Sequence, residues 1–242
     1  MTASTALDQA LTQIRTRYGE GAIRRLSEPD PAAMPTALPT GFPALDRALG
    51  IGGIPRGRIT ELVGHGSAGQ GSLAASLAAQ AQQRGGQVVY VDACRQVDLD
   101  LLTHWGVGFD DLRVLRPAQP SLALTLTRDL LGEGGADLIL FDRYDPAEPA
   151  YRDMDAMLAE VTPLLGATAS TLVFLTEADA SRYPPGRALP YYATLRLHCQ
   201  QMDWITEGLT LAGLVAQVAV IKHKLGPPGG SARLSLRMPA DA

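Results

Sequence analysis

Cysteine is nearly absent from this chain of 242 residues: only Cys94 and Cys199 occur, far apart and without C-x-x-C spacing. That excludes a disulfide framework and a structural zinc site, and no metal-ligand set is expected. Nowhere do about 18 apolar residues run together, as a membrane-spanning helix would need. The first residues are polar and carry no apolar signal region, so secretion is not expected either and the cytoplasm is the natural compartment. An excess of positive charge is also missing. With a formal net charge of −4 and a pI near 5.6, the chain does not have the overall basic balance that drives DNA binding through neutralised phosphates; any such contact needs a local patch.

What remains is the composition of a globular protein, 46% apolar and 19% charged, long enough to bury one sizeable core with small appendages. Leu7, Leu11, Ile14 and Tyr18 recur once per helical turn and predict an amphipathic N-terminal helix within residues 1–26, which Thr5 and Asp8 could cap and Gly19 and Gly21 could end. Residues 27–40 are rich in Pro and Ala and read as a linker. From Gly41 to the end at residue 242, a core domain is expected. Strands at Arg58–Val63, Val88–Asp92, Leu112–Leu115, Leu138–Asp142 and Thr171–Thr176 alternate with helices at Ser72–Arg84, Leu99–Trp105, Ser121–Leu131 and Met154–Leu165. That alternation predicts an α/β fold, a mostly parallel sheet flanked by helices. Ala180–Pro190 reads as a proline-rich loop. Ala193–Cys199, Leu209–Leu211, Leu214–Lys222 and Ala232–Met238 then follow as strands of an antiparallel C-terminal extension.

The chemistry-bearing segment is residues 64–72. Gly64, Gly66 and Gly69 give it the spacing of a phosphate-binding loop, in which glycines let backbone N–H groups turn toward phosphate oxygens. Such a loop also needs a lysine to reach the β and γ phosphates and a hydroxyl for Mg²⁺. Gln70 stands where the lysine belongs, Gly71 where the Ser or Thr belongs, and Ser72 falls one place late.

Several segments in order resemble the bacterial RecA recombinase family: the N-terminal helix with Gly19 to Leu26, Pro39 to Asp46, Ala48 to Ile59, Val91 to Ala93, Asp137 to Asp142, Tyr191 to Leu197 and Val220 to Pro228. The resemblance implies a RecA-like P-loop NTPase core, with Asp142 at the Walker B place, where a carboxylate holds Mg²⁺ through water. It implies that Lys222 and Lys224 are a pair reaching across a subunit interface to a neighbour's ATP phosphates. The family's water-orienting glutamate has no counterpart here, since Asp92-Ala93 is followed by Cys94, and the family's C-terminal domain is expected to be absent. The segments matching the two DNA-binding loops are short and offer Arg152, Arg182, Tyr183 and Arg187 for contact with a single strand, by charge and stacking.

Phosphoryl transfer is catalysed almost wholly by positioning and charge stabilisation. Losing the loop lysine and the glutamate therefore predicts no useful hydrolysis and no working cofactor, although backbone amides at a helix N-terminus still attract anions and leave room for ATP and Mg²⁺. The expected function is a non-catalytic RecA-like accessory protein of the DNA-damage response, in recombination or translesion synthesis. It would act beside a RecA-type recombinase or a translesion polymerase-like protein, as relatives of the ImuA type do. Two alternatives stand: a DNA-dependent ATPase in which Arg58, Arg95 or Arg143 replaces the lysine, and a self-assembling relative whose N-terminal helix docks on the next subunit.

Overall fold

The computed structural model describes residues 3–23, 36–144, 153–177 and 188–237. The chain divides into two compact units, residues 1–34 and 35–242. The first unit contains helix α1 (Ala3–Tyr18), with Leu7 and Tyr18 exposed, and a short 3₁₀ turn at Glu20–Ala22. None of the described helices is long and apolar enough to cross a membrane.

The second unit begins where the sequence pattern reads as linker. Ala37–Leu38 (β1) pairs antiparallel with Ile54–Pro55 (β2), and Thr40 is anchored by Asp46, whose carboxylate accepts from both its N–H and its hydroxyl. Between them lies α2 (Pro43–Leu49), with proline in its first turn and Gly50 in the left-handed conformation at its end, the asymmetry helices favour.

Eight strands form the main sheet: β3 (Ile59–Gly64), β4 (Val88–Asp92), β5 (Leu112–Leu115), β6 (Leu138–Tyr144), β7 (Thr171–Glu177), β8 (Leu195–Glu207), β9 (Thr210–His223) and β10 (Ser231–Arg237). Their spatial order is β10-β9-β8-β3-β7-β6-β4-β5. The block from β8 to β5 is parallel, and β9 and β10 extend it antiparallel. Every residue of β3 and β4 is buried, as expected of strands covered on both faces. One apolar cluster carries α3 (Gln70–Gln82), whose alanines and leucines are buried almost throughout. The other, on the opposite face, carries α5 (Leu122–Gly132), α6 (Met154–Thr168) and α7 (Ala188–Tyr192), with Phe141 and Phe174 at 5.1 Å between ring centroids. The short α4 (Leu99–His104) is capped by Asp98, whose side chain accepts from Leu101 N.

The C-terminal region differs from the sequence pattern. Leu209–Leu211 and Leu214–Lys222 are one strand, β9, and its partner β8 runs on to Glu207. Gly213 reads as a break in sequence, but its positive φ and close approach mark an irregularity inside the strand: a Cβ there would collide with Leu236 O. Ala188–Pro190, at the end of the expected loop, begins helix α7.

Candidate functional site

In open α/β sheets ligands sit beyond the carboxyl ends of the strands, where strand order switches. Here β3 lies between β7 and β8, and its end leads through Gly64 into the glycine loop and α3. A cleft of about 510 Å³ opens at this place, lined by Gly66, Gly69, Gln70, Gly71 and Ser72 among others. All the loop positions singled out in the sequence except Gly64 thus face one space. Gly64 lies just behind it, so close to Gln70 that a Cβ on it would stand 2.5 Å from Gln70 Oε1.

The side chain at position 70 does not project outward as a cation would. Its Nε2 donates to Gly66 O at 2.8 Å, across the loop, while its Oε1 is buried with no hydrogen-bond partner among the described residues. The Gly66 N–H in turn donates to Glu177 Oε1 at 2.6 Å. Glu177 ends β7 and is the register partner of Gly64, so sheet pairing itself delivers this carboxylate to the loop.

Asp142, near the end of β6, also lines the cleft. Its Oδ2 accepts from the Tyr90 hydroxyl at 2.5 Å, and its Oδ1 from Arg143 N at 3.1 Å. Burial, then the Asp142 charge, hold the Tyr90 phenol neutral by pushing its pKa well above the ordinary tyrosine value. Asp92 is engaged elsewhere: almost wholly buried, it accepts from Gln96 N at 2.7 Å and Arg116 Nε at 2.9 Å, which pins the turn after β4. Among the described residues, four carboxylates, Asp98, Asp100, Asp142 and Glu177, border the cleft against one cation, Arg143.

The sequence signature of the RecA N-terminal domain matches residues 5–160 of this chain. The chain belongs to the RecA family. It is 33% identical to the protein RecA of Streptomyces avermitilis over 92% of its own length and 65% of that protein. The corresponding figures are 34%, 92% and 72% for RecA of Caldanaerobacter subterraneus subsp. tengcongensis, and 35%, 96% and 75% for RecA of Thermus thermophilus.

In this RecA-family chain Lys222 and Lys224, the only lysines of the sequence, lie at the end of β9 and converge on α7. Lys222 Nζ donates to Pro190 O at 2.6 Å and Tyr191 O at 3.0 Å; Lys224 Nζ donates to Tyr191 O at 3.4 Å. Burial, and then the charges of Lys224 and Arg196, lower the Lys222 pKa to about 8. Arg196 is the register partner of Lys222 and faces the apolar cluster opposite α3, and neither lysine is among the residues that line the cleft. Of the three arginines considered as substitutes for the loop lysine, Arg143 borders the cleft, in a strained backbone conformation with φ of 26°. Arg58 lies at the other end of β3, bonded to Gly57 O, and Arg95 is not among the residues lining the cleft. Arg152, Arg182, Tyr183 and Arg187, the residues read as DNA contacts, lie outside the described residues.

Glu177 and Tyr90 were not singled out by sequence reasoning. Glu177 sits in the last position of a buried strand beside β3, a place where a carboxylate faces the strand-end cleft. Tyr90 is the one hydroxyl-bearing residue in Val88–Asp92, directly opposite Leu140 in the sheet and within reach of Asp142.

Proposed function

We propose that this chain is a non-catalytic RecA-family accessory protein of DNA repair, working in the cytoplasm by contact with other macromolecules in recombination or translesion synthesis. The observation that carries this reading is the charge of the cleft: among the described residues that line it, four carboxylates against one arginine, with glutamine at the lysine position. A nucleoside triphosphate brings several negative charges, and phosphoryl-transfer sites surround them with lysine, arginine and magnesium. This cleft opposes that charge. Asp142, the one carboxylate suited to holding a metal through water, is committed to Tyr90 and Arg143. The residues present therefore do not fit a magnesium nucleotide, and no hydrolytic step is derived from them.

Lys222 and Lys224 support action on a partner. Neither is among the residues that line their own chain's cleft, and this supports the reading that a phosphate they neutralise belongs to another molecule. A RecA-type recombinase or a translesion polymerase-like protein, as with ImuA-type relatives, is the partner this implies. Single-stranded DNA is a further partner through the arginines of the two short loops. The chain would then offer lysines to a neighbour's nucleotide without offering a nucleotide in return, joining or capping one end of a filament.

The test is phosphate release by the purified chain with single-stranded DNA present, beside Asp142→Ala. We expect the two to be equally silent. Robust turnover lost on Asp142→Ala would establish instead a DNA-dependent ATPase, the reading that Arg143 at the cleft favours. A second arm adds the chain to a RecA-type recombinase: it should alter that partner's ATPase, and replacing Lys222 and Lys224 by alanine should abolish the effect. The exposed Leu7 and Tyr18 of α1 favour one further possibility, self-assembly through the arm, which light scattering with and without residues 1–26 detects.

A further inference from the structure

We propose that Glu177 is an internal occupant of the loop's anion seat, a carboxylate built into the chain where a phosphate oxygen would otherwise be received. The proposal deepens the non-catalytic reading above and rests on it for the wild-type chain.

Gly66 is held on both of its polar groups. Its N–H is taken by Glu177 Oε1 at 2.6 Å, and its C=O by Gln70 Nε2 at 2.8 Å. The amide is the kind of group that makes a glycine-rich loop an anion receptor, because successive backbone N–H groups there form a concavity for negative charge. A carboxylate accepting from it makes a charge-assisted bond, stronger than a neutral one. The contact is imposed by the sheet: β3 and β7 are parallel neighbours and Glu177 is paired with Gly64, two residues before the amide that it binds. His65 Nδ1 lies 3.8 Å from the same carboxylate oxygen.

An incoming phosphate meets three obstacles at this point. The N–H is already donated, the group that accepts it carries the same sign of charge as the phosphate, and the Gln70 amide fixes the loop in the shape that Glu177 requires. Glu177 remains partly exposed, at 36% of its side-chain surface, so it can be replaced without opening the core.

The experiment uses the full chain as wild type, Glu177→Ala and Glu177→Gln, titrated with a fluorescent ATP analogue in Mg²⁺, with hydrogen exchange of the Gly66 amide followed by NMR. Glu177→Ala should bind the analogue at least about tenfold more tightly than wild type, a change of about 1.4 kcal/mol, and its Gly66 amide should exchange faster. Glu177→Gln still has a carbonyl oxygen to accept from Gly66, so it should keep the amide protected and gain less affinity. Unchanged affinity in Glu177→Ala, in a variant whose melting temperature matches wild type, overturns the proposal whatever the Gly66 amide does. Tight binding and turnover by the wild-type chain is a different result, and it overturns the non-catalytic reading instead.

Discussion

The strand that delivers the glycine loop carries a charge in its middle, and removing that charge's partner is the most severe single perturbation the fold predicts. Glu61 of β3 is fully buried, and Arg196 of β8, its register partner, is 7% exposed. Arg196 Nε donates to Glu61 Oε2 at 2.5 Å, and Thr176 Oγ1 donates to Oε1 at 2.9 Å. Arg196→Met leaves the carboxylate with the threonine as hydrogen-bond partner and Lys222 as the remaining nearby cation, and breaking a buried pair of this kind costs about 3–5 kcal/mol. For a chain of this size each kcal/mol lowers the melting temperature by about 2–4 °C, so the fall should be about 6–20 °C. Arg196 Nη2 is itself buried without a partner, so the pair is imperfect and its joint removal should be far cheaper. Glu61→Leu combined with Arg196→Met should therefore lie closer to wild type than Arg196→Met alone, with a coupling of about 2–3 kcal/mol. Urea denaturation followed by circular dichroism measures these two variants and Glu61→Leu alone, which together close the cycle. A cost below about 1 kcal/mol for Arg196→Met, the range of exposed ion pairs, would refute the reasoning.

Tyr90→Phe removes the hydroxyl that Asp142 accepts from and should destabilise the chain by about 1–3 kcal/mol in the same denaturation assay; no loss would mean that Asp142 is held by other groups. Lys222, with its pKa lowered to about 8, binds fewer protons folded than unfolded between about pH 8 and its ordinary value near 10.5. Its contribution to stability therefore rises with pH across that window, and Lys222→Met should flatten the rise. Amine acylation read by mass spectrometry should show half-maximal reactivity of Lys222 near pH 8, and a midpoint at the ordinary lysine value would contradict the environment described. Leu209, fully exposed at the tip of the β8–β9 hairpin, should tolerate Leu209→Lys within about 0.5 kcal/mol; a large drop in melting temperature would show that the tip is packed.

The alternation of β-forming runs with amphipathic segments was enough to read the parallel block of the sheet and its helices. Val88–Asp92 and Leu112–Leu115 coincide with the observed strands, because runs of β-forming residues flanked by glycine and polar turns leave a sharp boundary in composition. The C-terminal strands were harder. Gly213 looks like punctuation in sequence, and only the closeness of Leu236 O shows that glycine is there to let two strands meet. Residues 200–207 alternate poorly, since Met202, Asp203 and Trp204 are all exposed, and a strand outside the core has no buried face to give it a period. The glycine loop was legible as a loop and the glutamine as a missing cation. The bond from Gly66 to Glu177 and the bond from Tyr90 to Asp142 were not, because Glu177 and Tyr90 lie outside residues 64–72 and are brought to the cleft by strand pairing.

One glycine of this loop has a packing reason that does not involve a nucleotide. At Gly69, with φ of 99°, a Cβ would collide with Leu236 Cδ1 and stand 3.3 Å from Ala216 Cβ. The start of α3 is pressed against the antiparallel strands, and with this positive φ any other residue would be strained there whether or not phosphate binds. Lysine at position 70 would have no comparable structural duty, since its function in such a loop is to meet a phosphate. Once that duty lapses, glutamine can turn inward and bond Gly66 O, glutamate can settle on the Gly66 amide, and tyrosine can close on Asp142. Each makes an internal hydrogen bond. Under the proposed non-catalytic role, fold and chemistry come apart along a physical line: packing still requires glycine at Gly69, whereas positions that a bound anion would constrain are free to take partners within the chain.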